Sequence, residues 1–335
     1  MAAIPHRVLV GGMRGKSTLT RLLHTGFRAA GHEALGRVTG DAPMMIMRDG
    51  SEQPQHRRGP ANIRELRRLA FSNQIEGVDA LIVENMAIAP ELQRVIASRI
   101  IIPTVQALAV DAPDHLDVFS PDPAGRAREV VATLDPAVPV VIAESPRNAT
   151  VIAAIQERGI QARVATPSDR EGVRPHMMPL VAVAEAVLRH CGLHSDAIAK
   201  AIAARARDLQ RIAVYRVGGM VAYDLLSAND CESTAALVEQ IAGQSRGDCL
   251  YVYNHRRDRS ERLESFRHLL SGAELRIVGE APPSWWRRRT GVVYTPRWEP
   301  SGDGPPRTAF LVGNTGGYGA MLRDDLRRRA EVSSW

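Results

Sequence analysis

The run Val8-Leu9-Val10-Gly11-Gly12-Met13-Arg14-Gly15-Lys16-Ser17-Thr18 constrains this chain more than any other segment. Three successive apolar residues read as a buried strand, the glycines let the backbone turn tightly, and Thr18 to Ala30 has helical periodicity. Strand, glycine turn and helix in that order make a phosphate-binding loop. Glycines let backbone N–H groups approach phosphate oxygens, the helix N-terminus adds partial positive charge, and an ammonium reaches the terminal phosphates. Gly12, Met13, Arg14, Gly15, Lys16, Ser17 and Thr18 are therefore the expected nucleotide contacts, with the Ser17 hydroxyl on Mg2+. Lys16 is one of two lysines among 43 basic residues, which marks it for chemistry. The usual loop pattern has a glycine six positions before the lysine, where this chain has Val10, so the loop is a shorter type beginning at Gly11 or Gly12.

The 335 residues suggest two domains, and 44% hydrophobic with 24% charged residues fits a soluble globular enzyme. Aromatics are only 4%, so the core must be mostly Ala, Val, Leu and Ile. A formal charge of +6 attracts anions, with arginine clusters at Arg57-Arg58, Arg256-Arg257, Arg287 to Arg289 and Arg327 to Arg329. No aromatic-and-basic recognition motif accompanies them, so nucleic acid is not an expected partner. Cys191, Cys231 and Cys249 suit neither a zinc site nor a disulfide framework, which points to a reducing cytoplasm. No leader is expected before the first strand, and no apolar run reaches the ~20 residues that span a bilayer. Membrane association is expected only through partner subunits.

Apolar strand and helix patterns alternate through the first two hundred residues. Strands are expected at Val8 to Val10, Ala80 to Val83, Val105 to Val110 and Val138 to Ala143, with helices at Thr18 to Ala30, Asn62 to Leu69, Pro179 to Arg189 and Asp196 to Asp208. That alternation predicts an α/β fold with a parallel, doubly wound sheet. Arg37 to Gly59, rich in Gly, Pro, Met and charge, reads as loops or a short hairpin. The domain boundary is expected near residue 210, giving an ATP-binding domain of 1–210 and a smaller C-terminal α/β domain of 211–335. In the second, strands are expected at Gly219 to Leu225, Cys249 to Tyr253, Glu274 to Val278 and Ala309 to Val312. Helices are expected at Cys231 to Ala242 and Ser260 to Leu270, with a final helix after the glycine loop Gly313 to Gly319.

Glu84 ends a strand and so faces the crevice where open α/β sheets bind ligands, as a Mg2+ ligand or as the partner of a neighbouring arginine. Pro113-Asp114-His115-Leu116-Asp117 also follows a strand; His115 reads as a metal ligand oriented by its flanking acids, or the segment as a helix cap. In the second domain Asp224, Asn229-Asp230 and Asn254 to Arg259 follow strands, with Arg256 and Asp258 suited to phosphate or carboxylate contacts, or to surface loops and helix caps.

These blocks in order resemble the synthetase subunit of poly-γ-glutamate synthesis, the capsule biosynthesis amide ligase, a branch of the Mur ligase superfamily. The resemblance rests on Gly12 to Ser17, Thr39-Gly40, Asp49-Gly50-Ser51-Glu52, Arg58 to Glu65, Val83 to Gln93, Pro113 to Asp117, Ala228 to Asp230 with Glu232-Ser233-Thr234, and Asn254 with Arg256, Asp258 and Arg259. It covers most of the chain and implies a Mur-ligase-like fold and an ATP-dependent amide ligase. Lys16 and the loop would hold ATP, and Ser17, Glu84 and His115 would hold Mg2+, with Lys16, Glu84 and His115 as the catalytic set. A glutamate carboxylate would become an acyl phosphate, then be attacked by an amine, releasing ADP and phosphate. The second domain, through Asp224, Asn229, Arg256 and Asp258, would close over the nucleotide. The resemblance also implies glutamate or poly-γ-glutamate as substrate, membrane subunits as partners and a possible homo-oligomer.

The chain departs from the family's pattern twice. Ala109-Val110-Asp111-Ala112 stands where the family usually has Thr-Asn-Val-Arg, which leaves room for a related ligase acting on another acidic amino acid or small acid. A nucleotide-binding regulatory protein without turnover is the alternative from another class. Lys200 is the sole lysine besides Lys16, so no carbamylated lysine is expected at the metal site. With the phosphate loop so near the start of the sequence, the domain that grips a UDP-sugar in peptidoglycan ligases is not expected, nor is a UDP-linked substrate.

Overall fold

A computed structural model describes residues 3–39, 43–55, 62–87, 89–110, 120, 122–228, 231–243, 249–269, 273–300 and 307–335. The chain divides into two compact units, Met1–Gln210 and Arg211–Trp335.

The first unit contains, in chain order, β1 (His6–Gly12), α1 (Lys16–Ala29), β2 (Ala34–Val38), β3 (Met44–Ile46), β4 (Glu52–Pro54), α2 (Arg64–Ala70), β5 (Ala80–Glu84), α3 (Pro90–Val95), β6 (Val105–Ala109), α4 (Pro123–Ala132), β7 (Val140–Ala143), α5 (Ala149–Glu157), β8 (Ala162–Ala165), α6 (Met178–His190) and α7 (Asp196–Leu209). Among the described residues the sheet has eight strands in the order β4-β3-β2-β5-β1-β6-β7-β8. The six from β2 to β8 run parallel, and β3 and β4 add an antiparallel hairpin at one edge. Within Arg37 to Gly59 the structure shows the short hairpin among the two readings of that stretch.

Alternation within β1 explains why the sheet is covered on both faces. Val8 and Val10 pack with Leu19, Leu22, Leu23 and Phe27 of α1 and with Val183, Val187 and Ile202 of α6 and α7. Leu9 points the other way, to Leu66, Leu81, Val83 and Ile96. Further along that second face Leu108, Val130, Val131, Ile142 and Ile155 form a separate cluster. Burial of each such Val or Leu contributes about 1.5–3 kcal/mol, and a strand covered on both sides has no polar face to alternate with. The buried face of α1 repeats at i, i+3, i+4 and i+8, the spacing that makes one helical stripe.

The second unit continues with β9 (Ala213–Val217), β10 (Met220–Asp224), α8 (Cys231–Ala242), β11 (Leu250–His255), α9 (Glu261–Leu269), β12 (Glu274–Gly279), α10 (Ser284–Thr290), β13 (Val293–Tyr294), β14 (Arg307–Gly313), α11 (Tyr318–Arg329) and β15 (Glu331–Ser334). Its described strands follow the order β13-β12-β11-β14-β10-β9-β15, and all run in one direction except β9, which is antiparallel to both β10 and β15. Tyr251, Tyr253, Phe266 and Phe310 gather in its core, where most of the scarce aromatic residues are concentrated.

Candidate active site

β1 lies between β5 and β6, and its register sets Val10 beside Glu84 and Gly12 beside Ala109. The phosphate loop therefore emerges between the carboxyl ends of two parallel neighbours, where open α/β sheets leave a crevice. Gly12 (φ +106°) and Gly15 (φ +84°) adopt backbone that side chains rarely tolerate. At Gly12 there is no room either: a Cβ would stand 2.2 Å from the Ala109 carbonyl oxygen. That oxygen accepts a 2.8 Å hydrogen bond from the Met13 N–H, which pins the loop to β6.

Met13 was expected among the nucleotide contacts. Its side chain is buried in the cluster with Leu108, Val110 and Val130, and its N–H is committed to Ala109. Both contacts anchor the loop, which its place between glycine and arginine did not reveal.

Lys16 Nζ donates to the Gly12 carbonyl at 3.1 Å and the Met13 carbonyl at 2.7 Å, so the ammonium folds over its own loop. Ser17 Oγ donates to Glu84 Oε2 at 2.9 Å, and the Thr39 N–H donates to the same oxygen at 2.9 Å. Glu84 is 4% exposed. The neighbouring Asn85 N–H is held by the Val10 carbonyl, and Asn85 Oδ1 accepts from the Ala87 N–H, which fixes the chain just past β5. The Thr39 contact carries no signature in sequence, because a backbone donor can belong to any residue.

Serine hydroxyl and carboxylate oxygens are hard donors suited to a divalent cation such as Mg2+. Ser17 and Glu84, already within one hydrogen bond of each other, fit that ion. His115 falls outside the described residues, and among those described no group of three or more His, Cys, Asp or Glu side chains gathers. Arg14, Gly15 and Thr18 sit half-buried on the loop and first helical turn. Arg21, one turn beyond Ser17, donates to both Glu52 oxygens, and Arg205 Nη2 reaches Glu52 Oε1 at 2.7 Å, tying β4 to α1 and α7. Burial would raise the Glu52 pKa, but the two guanidinium groups outweigh it and hold the carboxyl below the usual range.

The second unit brings a separate polar group to the carboxyl ends of β11 and β14. Asn254 Nδ2 donates to the Asn314 and Gly316 carbonyls, and Asn314 Nδ2 donates back to the Asn254 carbonyl at 3.1 Å. His255 Nδ1 is bonded to the Glu280 carbonyl at 2.8 Å, while Asn254 Oδ1 and His255 Nε2 are buried without a partner among the described residues. Arg256 lies across the glycine loop, so a Cβ at Gly316 would meet its Nη1 at 2.5 Å. It also forms a two-pronged pair with Asp258.

Asp224 was expected among the nucleotide contacts, but it is 9% exposed and engaged otherwise. Its two oxygens accept from Arg323 at 2.6 and 2.9 Å, and Oδ1 also accepts from the Leu226 N–H. A carboxylate paired in this way braces α11 against the sheet. Asn229 falls outside the described residues. Asn314, not singled out in the sequence, is buried beside Asn254.

A phosphate loop at a parallel-sheet switch point, with a serine–carboxylate pair beside it, is suited to a nucleoside triphosphate and a divalent cation. Residues 210–280 match the family model described as the poly-gamma-glutamate synthase CapB C-terminal domain. PGA synthase CapB of Bacillus subtilis (strain 168) is 26% identical over 298 residues, which cover 83% of this chain and 75% of that protein. The capsule biosynthesis protein CapB of Bacillus anthracis is 31% identical over 301 residues, covering 82% of this chain and 63% of that protein. The likeness to these two CapB proteins runs over more than four fifths of this chain. A solved bifunctional folylpolyglutamate synthase/dihydrofolate synthase with Mn, AMPPNP and L-glutamate bound shares the fold, with a TM-score of 0.61 at 16% identity, covering 96% of this chain and 89% of its own.

Proposed function

We propose that this chain uses ATP to activate the carboxylate of glutamate and joins it to an amino group as an amide, with ADP and phosphate as by-products. The Ser17–Glu84 pair beside Lys16 is the observation that carries this reading, because it puts hard oxygen donors next to a terminal-phosphate cation. The CapB relatives and the glutamate-bound folylpolyglutamate synthase support glutamate as substrate.

A carboxylate is a poor electrophile. Its oxygen attacks the γ-phosphorus, ADP leaves, and the amine then attacks the acyl carbon and expels phosphate. Lys16 swings from the Gly12 and Met13 carbonyls to the phosphates and neutralises charge that builds up during transfer. Gly15 and the N-terminal amides of α1 cradle the phosphate oxygens. Ser17, Glu84 and His115 would hold Mg2+, which when bound spreads the phosphate charge and orients the γ-phosphoryl group. In the second unit, Asn229, Arg256 and Asp258 are proposed to contact nucleotide or acceptor. No helix of the described residues is long and apolar enough to cross a membrane. Any anchoring in a cytoplasmic setting is proposed to come through membrane subunits, and self-association remains part of the proposal.

ADP release measured across single amino acids, with mass spectrometry of the product, tests the reading. Glutamate-dependent ADP release with a γ-linked product supports it. ATP binding without amino-acid-dependent turnover refutes it.

A further inference from the structure

The outer side of the first sheet carries a groove of about 540 Å³ between β8 and α6 that the proposed reaction does not use. α6 links it to the site: a Cβ on Gly15 would meet Leu180 of that helix at 3.0 Å, and Arg189 lines the groove further along. At 1.5 Å per residue the helix travels about 14 Å from Leu180 to Arg189. The groove therefore leads away from the phosphate loop along the edge of the same rigid sheet.

Its charge is one-sided. Arg163, Arg170 and Arg189 face a single lining carboxylate, Glu185. Arg170 is already engaged, donating to both Glu185 oxygens at 3.1 and 2.9 Å and to Ser168 Oγ at 2.7 Å. Arg163 and Arg189 are exposed and make no ion pair among the described residues. Among the described residues β8 is the last strand of this sheet and pairs with β7 alone, so one side of its backbone has no ladder partner among them.

We propose that this groove holds the growing γ-glutamyl chain, with Arg163 and Arg189 each taking a carboxylate and the β8 edge pairing with the chain's amide groups. The identity of the polymer rests on the reaction proposed above. A γ-linked polymer repeats an amide and leaves one α-carboxylate free on every residue, so it matches both features of the groove at once. Arginine forks fit carboxylates, and an exposed strand edge fits an extended amide backbone. Several weak contacts on one chain add to an avidity that a single glutamate lacks. The groove thus selects for chain length and keeps the product near the site between additions.

The test uses the full chain and a fluorescein-labelled γ-linked decaglutamate read by fluorescence anisotropy, comparing wild type with the double variant Arg163→Ala/Arg189→Ala. Loss of two exposed ion pairs should weaken decamer binding about tenfold, with thermal melting, ATP binding and the KM for single glutamate unchanged. Equal decamer affinity in the two proteins overturns the proposal. So does inorganic polyphosphate that displaces the decamer as readily as unlabelled decaglutamate does, since the groove would then be a general anion surface. Failure of the underlying reaction shows separately, as a wild type that releases no ADP with glutamate.

Discussion

Gly12 and Gly11 are adjacent in sequence, but the structure predicts opposite results for placing alanine at each. At Gly12 the new Cβ would sit 2.2 Å from the Ala109 oxygen and 2.8 Å from its carbonyl carbon, on backbone at φ +106°. The positive φ costs a Cβ-bearing residue about 1–2 kcal/mol, and forcing β1 from β6 costs about 1–3 kcal/mol more. At Gly11 the added methyl meets only Leu108 Cδ2 at 3.4 Å, an ordinary contact, and the unfolded chain loses entropy. Gly12→Ala should therefore destabilise the first unit by about 2–5 kcal/mol, a fall of about 5–20 °C in Tm for a unit near 200 residues. Gly11→Ala should stay within about 1 kcal/mol of wild type. Differential scanning calorimetry of both variants with and without ATP reads the effect, and ATP should raise the Tm of Gly11→Ala but barely that of Gly12→Ala. Equal melting and equal nucleotide response in the two variants would refute the steric reading of the loop.

Lys16→Ala should lower ATP turnover by about 100-fold or more with an unchanged circular dichroism spectrum, because the terminal-phosphate cation is lost. Glu84→Gln retains an acceptor for Ser17 Oγ and the Thr39 N–H but removes the charge, so nucleotide affinity should stop responding to added Mg2+ in calorimetric titrations. His24 gives a pH prediction: burial lowers its pKa to about 4, although its ring is bonded to the Ala34 carbonyl, with Arg28 and Arg205 adding to the fall. The unfolded chain then binds a proton below pH ~6.5 that the folded chain refuses down to about pH 4. Stability should fall across that window, by about 2 kcal/mol at pH 5, and urea unfolding of His24→Gln should show a correspondingly shallower pH dependence.

The parts of the fold legible in sequence are those whose side chains must be apolar regardless of neighbours. Val8 to Val10, Leu81 to Val83 and Val140 to Ile142 are buried on both faces, so they stand out as unbroken apolar runs. β8 reads Ala-Arg-Val-Ala and β15 reads Glu-Val-Ser-Ser, with mostly exposed side chains, because an edge strand needs no second apolar face. The hairpin of β3 and β4 was legible only as an alternative to loops, since only Met45 and Ile46 are buried in it. At the site, Lys16, Ser17 and Glu84 could be named because their side chains carry the chemistry. Thr39 acts there through its backbone, and Met13 and Asp224 are held by a core cluster and by Arg323, partners far away in sequence.

Glutamate labelled with 18O in its carboxylates tests the acyl-phosphate route most directly. If the carboxylate oxygen attacks the γ-phosphorus and leaves with it, each turnover transfers one 18O atom to inorganic phosphate, and mass spectrometry finds the label there and none in ADP. Phosphate released without label, or label recovered in AMP, would contradict the acyl-phosphate route.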